Sequence, residues 1–444
     1  MPHLIYLAVG FPPAVKSCAF RMRETANLFA EAGWDVTAVT IHDEGWEREF
    51  GVDSSLSVGV HPRIRVVKLP LSREDLEPDI RTYSEFRARQ PRKWLSELRH
   101  REVESFPEIV FGSWRVALEE GVLAVHAERP ADLMLVSPAP NAGLASAWRL
   151  WSEHGVPYAV DYRDAWSLNV LTGEEAFPVG SRAGEWERRV IEHATAVWCV
   201  NDAISGFYRD RYADVADRIR TVQNGFDALV VPNQTRRPDR ERGVTFGYVG
   251  TANFPADILT PLVEGWRTAR ATDPLLERSR LVFRGHFGAG LARGATRHVA
   301  MISTGAADGV SYEGPVPKRD LANVYANCDA LVLILAGGHY VTAGKTYEYV
   351  ASGLPIMSVH AERHGATEIL GDYPLWVPPP VPLDADNVAE SFVATARLVI
   401  ETTDNRRTVA ADYGRSYERR AMLRPAVRAL AEAVAGKTAS VGRT

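Results

Sequence analysis

Cysteine is scarce: Cys18, Cys199 and Cys328 are the only three in 444 residues, far apart and without a CxxC pair. That spacing suggests neither a disulfide framework nor a zinc site. Long hydrophobic runs are also missing, since no stretch approaches the about 18 apolar residues that a membrane span requires. Positive charge is not in excess, because 51 Lys and Arg stand against 56 Asp and Glu for a net charge of -5. This balance argues against a nucleic-acid binder of the basic type. Met1-Pro2-His3 enters an apolar stretch without a charged leader or cleavage site, so the expectation is a cytoplasmic protein. The first strand is not followed by GxGxxG, which disfavours tightly bound NAD or FAD. Neither a glycosidase-type carboxylate pair nor a Ser-His-Asp set can be recognised.

What remains is an alternating α/β pattern. Hydrophobic content of 46% and charged content of 24% describe a globular chain, and 444 residues suffice for two domains with full cores. A strand at Leu4 to Val9, a helix from about Ala19 to Ala32 and a strand at Asp35 to Ile41 form a βαβ unit. From Asp43 to Glu104 the period weakens. Glu85 to Glu104 is rich in arginine, but Pro91 interrupts it and glutamates dilute its charge, so it reads as a solvated helical excursion with at most peripheral membrane contact. Alternation returns with strands at Asp132 to Ser137, Tyr158 to Asp161, Ala196 to Val200 and Ile219 to Val222, and with a helix at Ala183 to His193. The expected domains are 1–229, a charged linker at 230–243, a second doubly wound domain at 244–410, and a helix with tail at 411–444 that returns to the first domain.

The second domain is organised around Gly344-Lys345-Thr346-Tyr347-Glu348-Tyr349-Val350-Ala351-Ser352-Gly353. It follows the branched apolar run Ala330 to Ala336, which reads as a buried parallel strand. Lys345 and Glu348 share one face at the start of a short helix, beyond the carboxyl end of that strand, where open α/β sheets bind ligands. Helix N–H groups and a lysine can hold a diphosphate, while a carboxylate accepts hydrogen bonds from vicinal hydroxyls. In the first domain, Lys16, Ser17 and Arg21 stand near a helix N-terminus, and Asp161 and Asp164 flank Arg163 at a strand end, which suits hydroxyl recognition. Asp384-Ala385-Asp386 spells DxD but precedes a long helix, so it reads as a cap, and no metal site is expected.

The segments Phe11-Pro12-Pro13 with Arg21, Asp161-Tyr162-Arg163-Asp164-Ala165-Trp166, Asn224-Gly225-Phe226-Asp227, Tyr248-Val249-Gly250-Thr251, Tyr312-Glu313-Gly314, Cys328-Asp329-Ala330 and Lys345-Thr346-Tyr347-Glu348-Tyr349 with Gly353-Leu354-Pro355 occur in order across about residues 3 to 430. In this the chain resembles retaining GT-B glycosyltransferases, most similar to glycosyltransferase family 4. The resemblance implies two Rossmann-like doubly wound domains facing across a cleft, with a C-terminal helix crossing back. It implies a nucleotide diphosphate-sugar as co-substrate, UDP being commonest among relatives, and no cofactor.

The resemblance places the donor on Gly250, Thr251, Asn253, Gly285, His286, His339, Gly344, Lys345, Thr346 and Glu348. It places the acceptor on Lys16, Ser17, Arg21, Asn141, Asp164 and Trp166, and the chemistry on Lys345, Arg284 and Asp164. The chain departs from the family pattern in three places. Glu348 matches the second of two glutamates seven residues apart, but Tyr340 stands at the first, with His339 beside it. Pro140-Asn141 replaces a loop histidine. The arginine and lysine that clamp the diphosphate are missing from Gly250 to Phe254, leaving Arg284 and Lys345 as the cations. The expected activity is sugar transfer with retention to a small-molecule acceptor, in natural-product biosynthesis. Assembly of a cell-surface polysaccharide or lipid-linked glycan, a sugar-nucleotide epimerase using His286, and a silent sugar-nucleotide-binding homologue are the alternatives.

Overall fold

The structure is a computed structural model that describes residues 1–232, 241–251, 254, 256–285, 302 and 308–441. It divides into two compact units. Unit 1 comprises Met1–Asn169, Glu174–Asn224 and Arg419–Thr444, and unit 2 comprises Val170–Gly173 and Gly225–Glu418.

Unit 1 is built on seven parallel strands, β1 (His3–Leu7), β2 (Asp35–Ile41), β3 (Ile64–Leu69), β4 (Leu133–Val136), β5 (Tyr158–Tyr162), β6 (Ala196–Cys199) and β7 (Ile219–Thr221), in the order β3-β2-β1-β4-β5-β6-β7. Every residue of β1 and β4 is buried, as a strand covered on both faces requires. The strand order reverses between β1 and β4, so the loops after these strands diverge and leave a crevice at their carboxyl ends. The helix Arg419–Val441 covers this sheet together with the helix Ser17–Glu31. Leu423, Val427, Leu430 and Val434, spaced three or four apart on one stripe, join Met22, Ala26 and Phe29 in one core.

Unit 2 is built on six parallel strands, β8 (Thr245–Val249), β9 (Arg280–Arg284), β10 (Val310–Tyr312), β11 (Ala330–Ile334), β12 (Ile356–Val359) and β13 (Trp376–Val377), in the order β10-β9-β8-β11-β12-β13. Every residue of β11 is buried, and the order reverses between β8 and β11. The expected α/β architecture of two doubly wound parallel sheets is therefore present. The Asp384 carboxylate accepts from the Asn387 amide at 2.9 Å and caps the helix Ala385–Glu401, whose Val388, Phe392, Ala396 and Val399 pack on Trp266. Asp384→Ala should cost about 1 kcal/mol, read as a lower thermal midpoint.

From Ala385 onward the chain holds three helices, Ala385–Glu401, Asp404–Arg415 and Arg419–Val441, the second capped by the Thr403 hydroxyl. Pro91 does interrupt the arginine-rich excursion, as the first residue of the helix Pro91–Ser105 after the short helix Glu85–Arg89. Among the described residues, no helix is long and apolar enough to cross a membrane.

Candidate functional site

At the switch point of unit 2, two glycines let the strand ends approach. Gly250 follows β8 with φ +146° and Gly285 follows β9 with φ +130°, a region that side chains disfavour. The Gly250 amide donates to the Arg284 carbonyl at 2.8 Å, and a methyl group on Gly285 would lie 2.0 Å from the Gly250 carbonyl oxygen. The helix Gly344–Ala351 closes the other side. It is clamped to β8 by Tyr349, whose hydroxyl accepts from the Val249 amide at 2.9 Å.

Lys345 enters this space from the first turn of that helix. Its Nζ donates to the Tyr248 hydroxyl and lies 4.2 Å from the centre of the Tyr248 ring. The Tyr248 hydroxyl in turn donates to the Thr251 carbonyl at 2.8 Å, so one tyrosine ties the lysine to the loop after β8. A methyl group on Gly250 would lie 2.1 Å from Lys345 Cε, which makes glycine necessary for the lysine to reach this position. Burial drives the Lys345 amine down to about 7, opposed by the nearby Glu348 carboxylate. Thr346 is fully buried and its hydroxyl has no hydrogen-bond partner. The N-cap, Ala343, offers no side-chain acceptor, so this helix start carries backbone donors and no acid.

Glu348 is held from the other side. It accepts from the Tyr325 hydroxyl at 3.0 Å and lies 3.7 Å from Lys318 Nζ, which also pairs with Asp227 at 2.9 Å. Asp227 belongs to the Asn224-Gly225-Phe226-Asp227 segment noted in the sequence, and its contribution is to fix Lys318.

Arg284 does not join Lys345. Its guanidinium pairs with Glu313, which Arg280 also approaches at 3.4 Å, and the three line a 530 Å³ cavity with Val249, Asp320 and Cys328. The two expected cations therefore serve different partners. His339 is exposed and its ring lies 5.3 Å from that of Tyr340. Asn253 and His286 lie outside the described residues. The sequence reading missed Tyr248, and also His360 and His364, buried 4.9 Å apart ring to ring after β12. Their loop braces the one after β11, where the Gly365 amide donates to the Gly338 carbonyl at 3.3 Å.

In unit 1 the expected acceptor residues separate into exposed and buried sets. Arg21 is fully buried, with Nε 2.9 Å and Nη2 2.7 Å from Asp161 carboxylate oxygens and Nη1 donating to the Val222 carbonyl at 2.9 Å. It braces β5 and β7 against the first helix. Asn141 is drawn inward by Glu108, whose carboxylate accepts from the Asn141 and Ala142 amides at 3.0 and 2.8 Å and whose pKa burial raises. Trp166 stacks on Phe106 with ring centres 5.3 Å apart. Ser17 and Asp164 are exposed, and Lys16 is half-buried with its ammonium over two aromatic rings.

Residues 18–225 match the family described as Glycosyl transferase 4-like domain. No curated protein matches the chain in sequence. Among solved structures, the sucrose-phosphate synthase of Thermosynechococcus elongatus is similar with a TM-score of 0.63 at 16% identity, over 98% of this chain and 100% of that one. A glycosyltransferase of Rickettsia africae ESF-5 gives 0.66 at 11% identity over 98% of both chains. HepE of Anabaena, in complex with UDP and glucose, gives 0.60 at 12% identity over 97% of this chain and 99% of that one. The chain thus has the GT-B fold and is similar to glycosyltransferases of family 4.

Proposed function

We propose that the chain is a glycosyltransferase that moves a sugar from a nucleoside diphosphate-sugar, UDP being the preferred carrier, to a small-molecule acceptor with retention of anomeric configuration. The observation that carries this reading is the buried Lys345 ammonium beside the Gly250 and Gly285 turns, at the start of a helix whose Glu348 is already held in place. That constellation offers a cation, backbone donors and one carboxylate without a second catalytic acid. HepE, which shares the fold, binds UDP and glucose in its structure.

In this mechanism the bond from the anomeric carbon to the diphosphate oxygen breaks while a bond to the acceptor oxygen forms on the same face. The acceptor's proton passes to the departing phosphate oxygen, so the protein supplies no base. Lys345 and the amides at the start of the helix Gly344–Ala351 stabilise the negative charge that builds on the leaving group, the term that dominates when charge develops in a site of low dielectric. Glu348 orients hydroxyls of the ribose or the sugar. Arg284, paired with Glu313 away from Lys345, acts on the donor from the cavity it lines. We propose no metal ion for this chemistry, because Asp384 of the DxD sequence already caps its helix.

Thermal-shift titration against UDP, GDP, dTDP, ADP and NAD tests the donor reading. UDP at about 100 times its dissociation constant should add about 2.7 kcal/mol. A clear shift with UDP and none with NAD supports the proposal; no shift with any diphosphate overturns it. Tyr248→Phe, which removes the hydroxyl that accepts from Lys345, should weaken UDP binding about tenfold, measured by calorimetry.

A further inference from the structure

A groove of 620 Å³ lies in unit 1 between the edge of the sheet and the C-terminal helix Arg419–Val441. β7 is the edge strand, and its register sets Arg220 beside Trp198 of β6, neighbouring strands being about 4.8 Å apart. Because side chains alternate along a strand, Ala196 and Trp198 share one face with Arg220 and with Val222 just beyond β7, and all four line the groove. The helix opposes them with Met422, Pro425, Ala426, Ala429 and Ala433, a stripe beside the one that carries Leu423, Val427 and Val434 into the core. Proline and alanine are too short to fill the space up to β7, and the groove is what they leave.

Two donors in this lining are unspent. Trp198 is 2% exposed, and its indole N–H has no hydrogen-bond partner among the described residues. Arg220 is exposed at the rim, and among the described residues its guanidinium makes neither an ion pair nor a hydrogen bond. Arg218, by contrast, is committed to the Glu192 and Ala194 carbonyls at 3.1 and 3.3 Å, and the Thr221 hydroxyl to Ser205 and Asp202. Asp217 is the one carboxylate of the lining, so two arginines against one aspartate leave a surplus of one positive charge.

These features select the class of ligand. An indole N–H and a guanidinium donate and accept nothing, so the partner must bring acceptor oxygens, and an anion also answers the surplus charge. Trp198 and Arg220 are cross-strand neighbours, close enough for the two oxygens of one carboxylate to serve both. The remaining wall is apolar, and from Met422 to Ala433 the helix stripe runs about 16 Å at 1.5 Å per residue, a length that suits an extended acyl chain. We infer that this groove binds a single-chain anionic amphiphile, its acyl body lying along the Pro425–Ala433 stripe and its carboxylate accepting from Trp198 Nε1 and Arg220. The site uses none of the groups around Lys345 and does not depend on the proposed sugar transfer.

The test titrates the full chain by calorimetry with dodecanoate, kept below its micelle concentration. Acetate, which lacks the chain, and dodecyltrimethylammonium, which reverses the charge, serve as comparators. The inference expects dodecanoate to bind at one site and both comparators to bind at least about tenfold more weakly. Arg220→Met should weaken dodecanoate about tenfold, and Arg220→Lys should recover part of that loss. Ala429→Trp, which fills the groove from an exposed helix position, should abolish binding while leaving the melting temperature unchanged. Ala433→Phe provides the same test should Ala429→Trp fail to fold. The inference is overturned if dodecanoate does not bind, if the cationic amphiphile binds as well, or if Arg220→Met and Ala429→Trp both bind as the unaltered protein does. Sedimentation of the same samples reports on a different occupant: a dimer that Ala429→Trp dissociates would mean that a second copy fills the groove, and would also overturn it.

Discussion

Lys345→Met should raise the melting temperature of the unliganded protein and abolish its stabilisation by UDP. Both effects follow from one buried amine. Its pKa is depressed from 10.5 to about 7, chiefly by burial, whereas in the unfolded chain it regains the ordinary value. The unfolded state therefore binds the proton more tightly, and folding carries a penalty that is full below about pH 7 and fades as pH rises toward the unfolded value. At roughly 1.4 kcal/mol per unit of displacement, the penalty is several kcal/mol in order of magnitude. Methionine fills the same space without a charge, so the gain in melting temperature should be several degrees at pH 6 to 7 and should shrink toward pH 10. The same substitution removes the cation proposed to face the diphosphate, and turnover should fall by about a thousandfold. Melting curves with and without UDP at pH 6, 7, 8 and 9 measure the first two effects. A variant no more stable than the parent, or still stabilised by UDP, contradicts this account of Lys345.

The second large effect lies in unit 1, far along the chain from any donor residue. Asp161→Ala should destabilise the protein by about 3–5 kcal/mol, because it leaves the Arg21 guanidinium buried without its counter-ion. The side chains of Arg21 and Asp161 are 1% and 0% exposed, so water cannot take the carboxylate's place. For a unit of this size that cost lowers the thermal midpoint by about 10 °C. Replacing both partners by apolar residues, Arg21→Met with Asp161→Leu, should recover most of the loss, since removing a whole buried pair is far less costly than splitting it. Circular-dichroism melts of the two single variants and the double variant decide this. Strictly additive losses would show that the pair is not the source of the stability.

The residues that were legible in the sequence are those whose roles follow from local period. The apolar run at β11, the glycines after β8 and β9, and the Lys345-Glu348 spacing all follow from neighbours in the chain. The roles decided by distant contacts were not legible. Arg21 stands near a helix start and reads as a residue facing a ligand, yet its partner lies 140 positions away, and the pair turns inward. Arg284 reads as a companion of Lys345 because the stretch Gly250 to Phe254 lacks the clamping arginine and lysine, but Glu313, just after β10, claims its guanidinium. Tyr248 was legible only as part of the Tyr248-Val249-Gly250-Thr251 segment; its role as partner of Lys345 was not, because a tyrosine in a buried strand looks like core until Lys345 is seen against its hydroxyl. Glu108 lies just past the weakly periodic stretch Asp43 to Glu104, where the sequence offered no frame in which to place it.

The central claim is that Lys345 holds the diphosphate of a nucleotide donor. It is tested most directly by titrating UDP into the protein by calorimetry at pH 8, in two buffers of different ionisation enthalpy. At that pH most of the Lys345 amine is neutral, and a bound diphosphate raises its pKa, so binding should take up close to about one proton per site. Affinity should also fall by up to about tenfold for each pH unit above 7. Proton uptake that disappears in Lys345→Met is the predicted result. Binding of UDP with no proton uptake, or with the same uptake in Lys345→Met, would contradict the assignment.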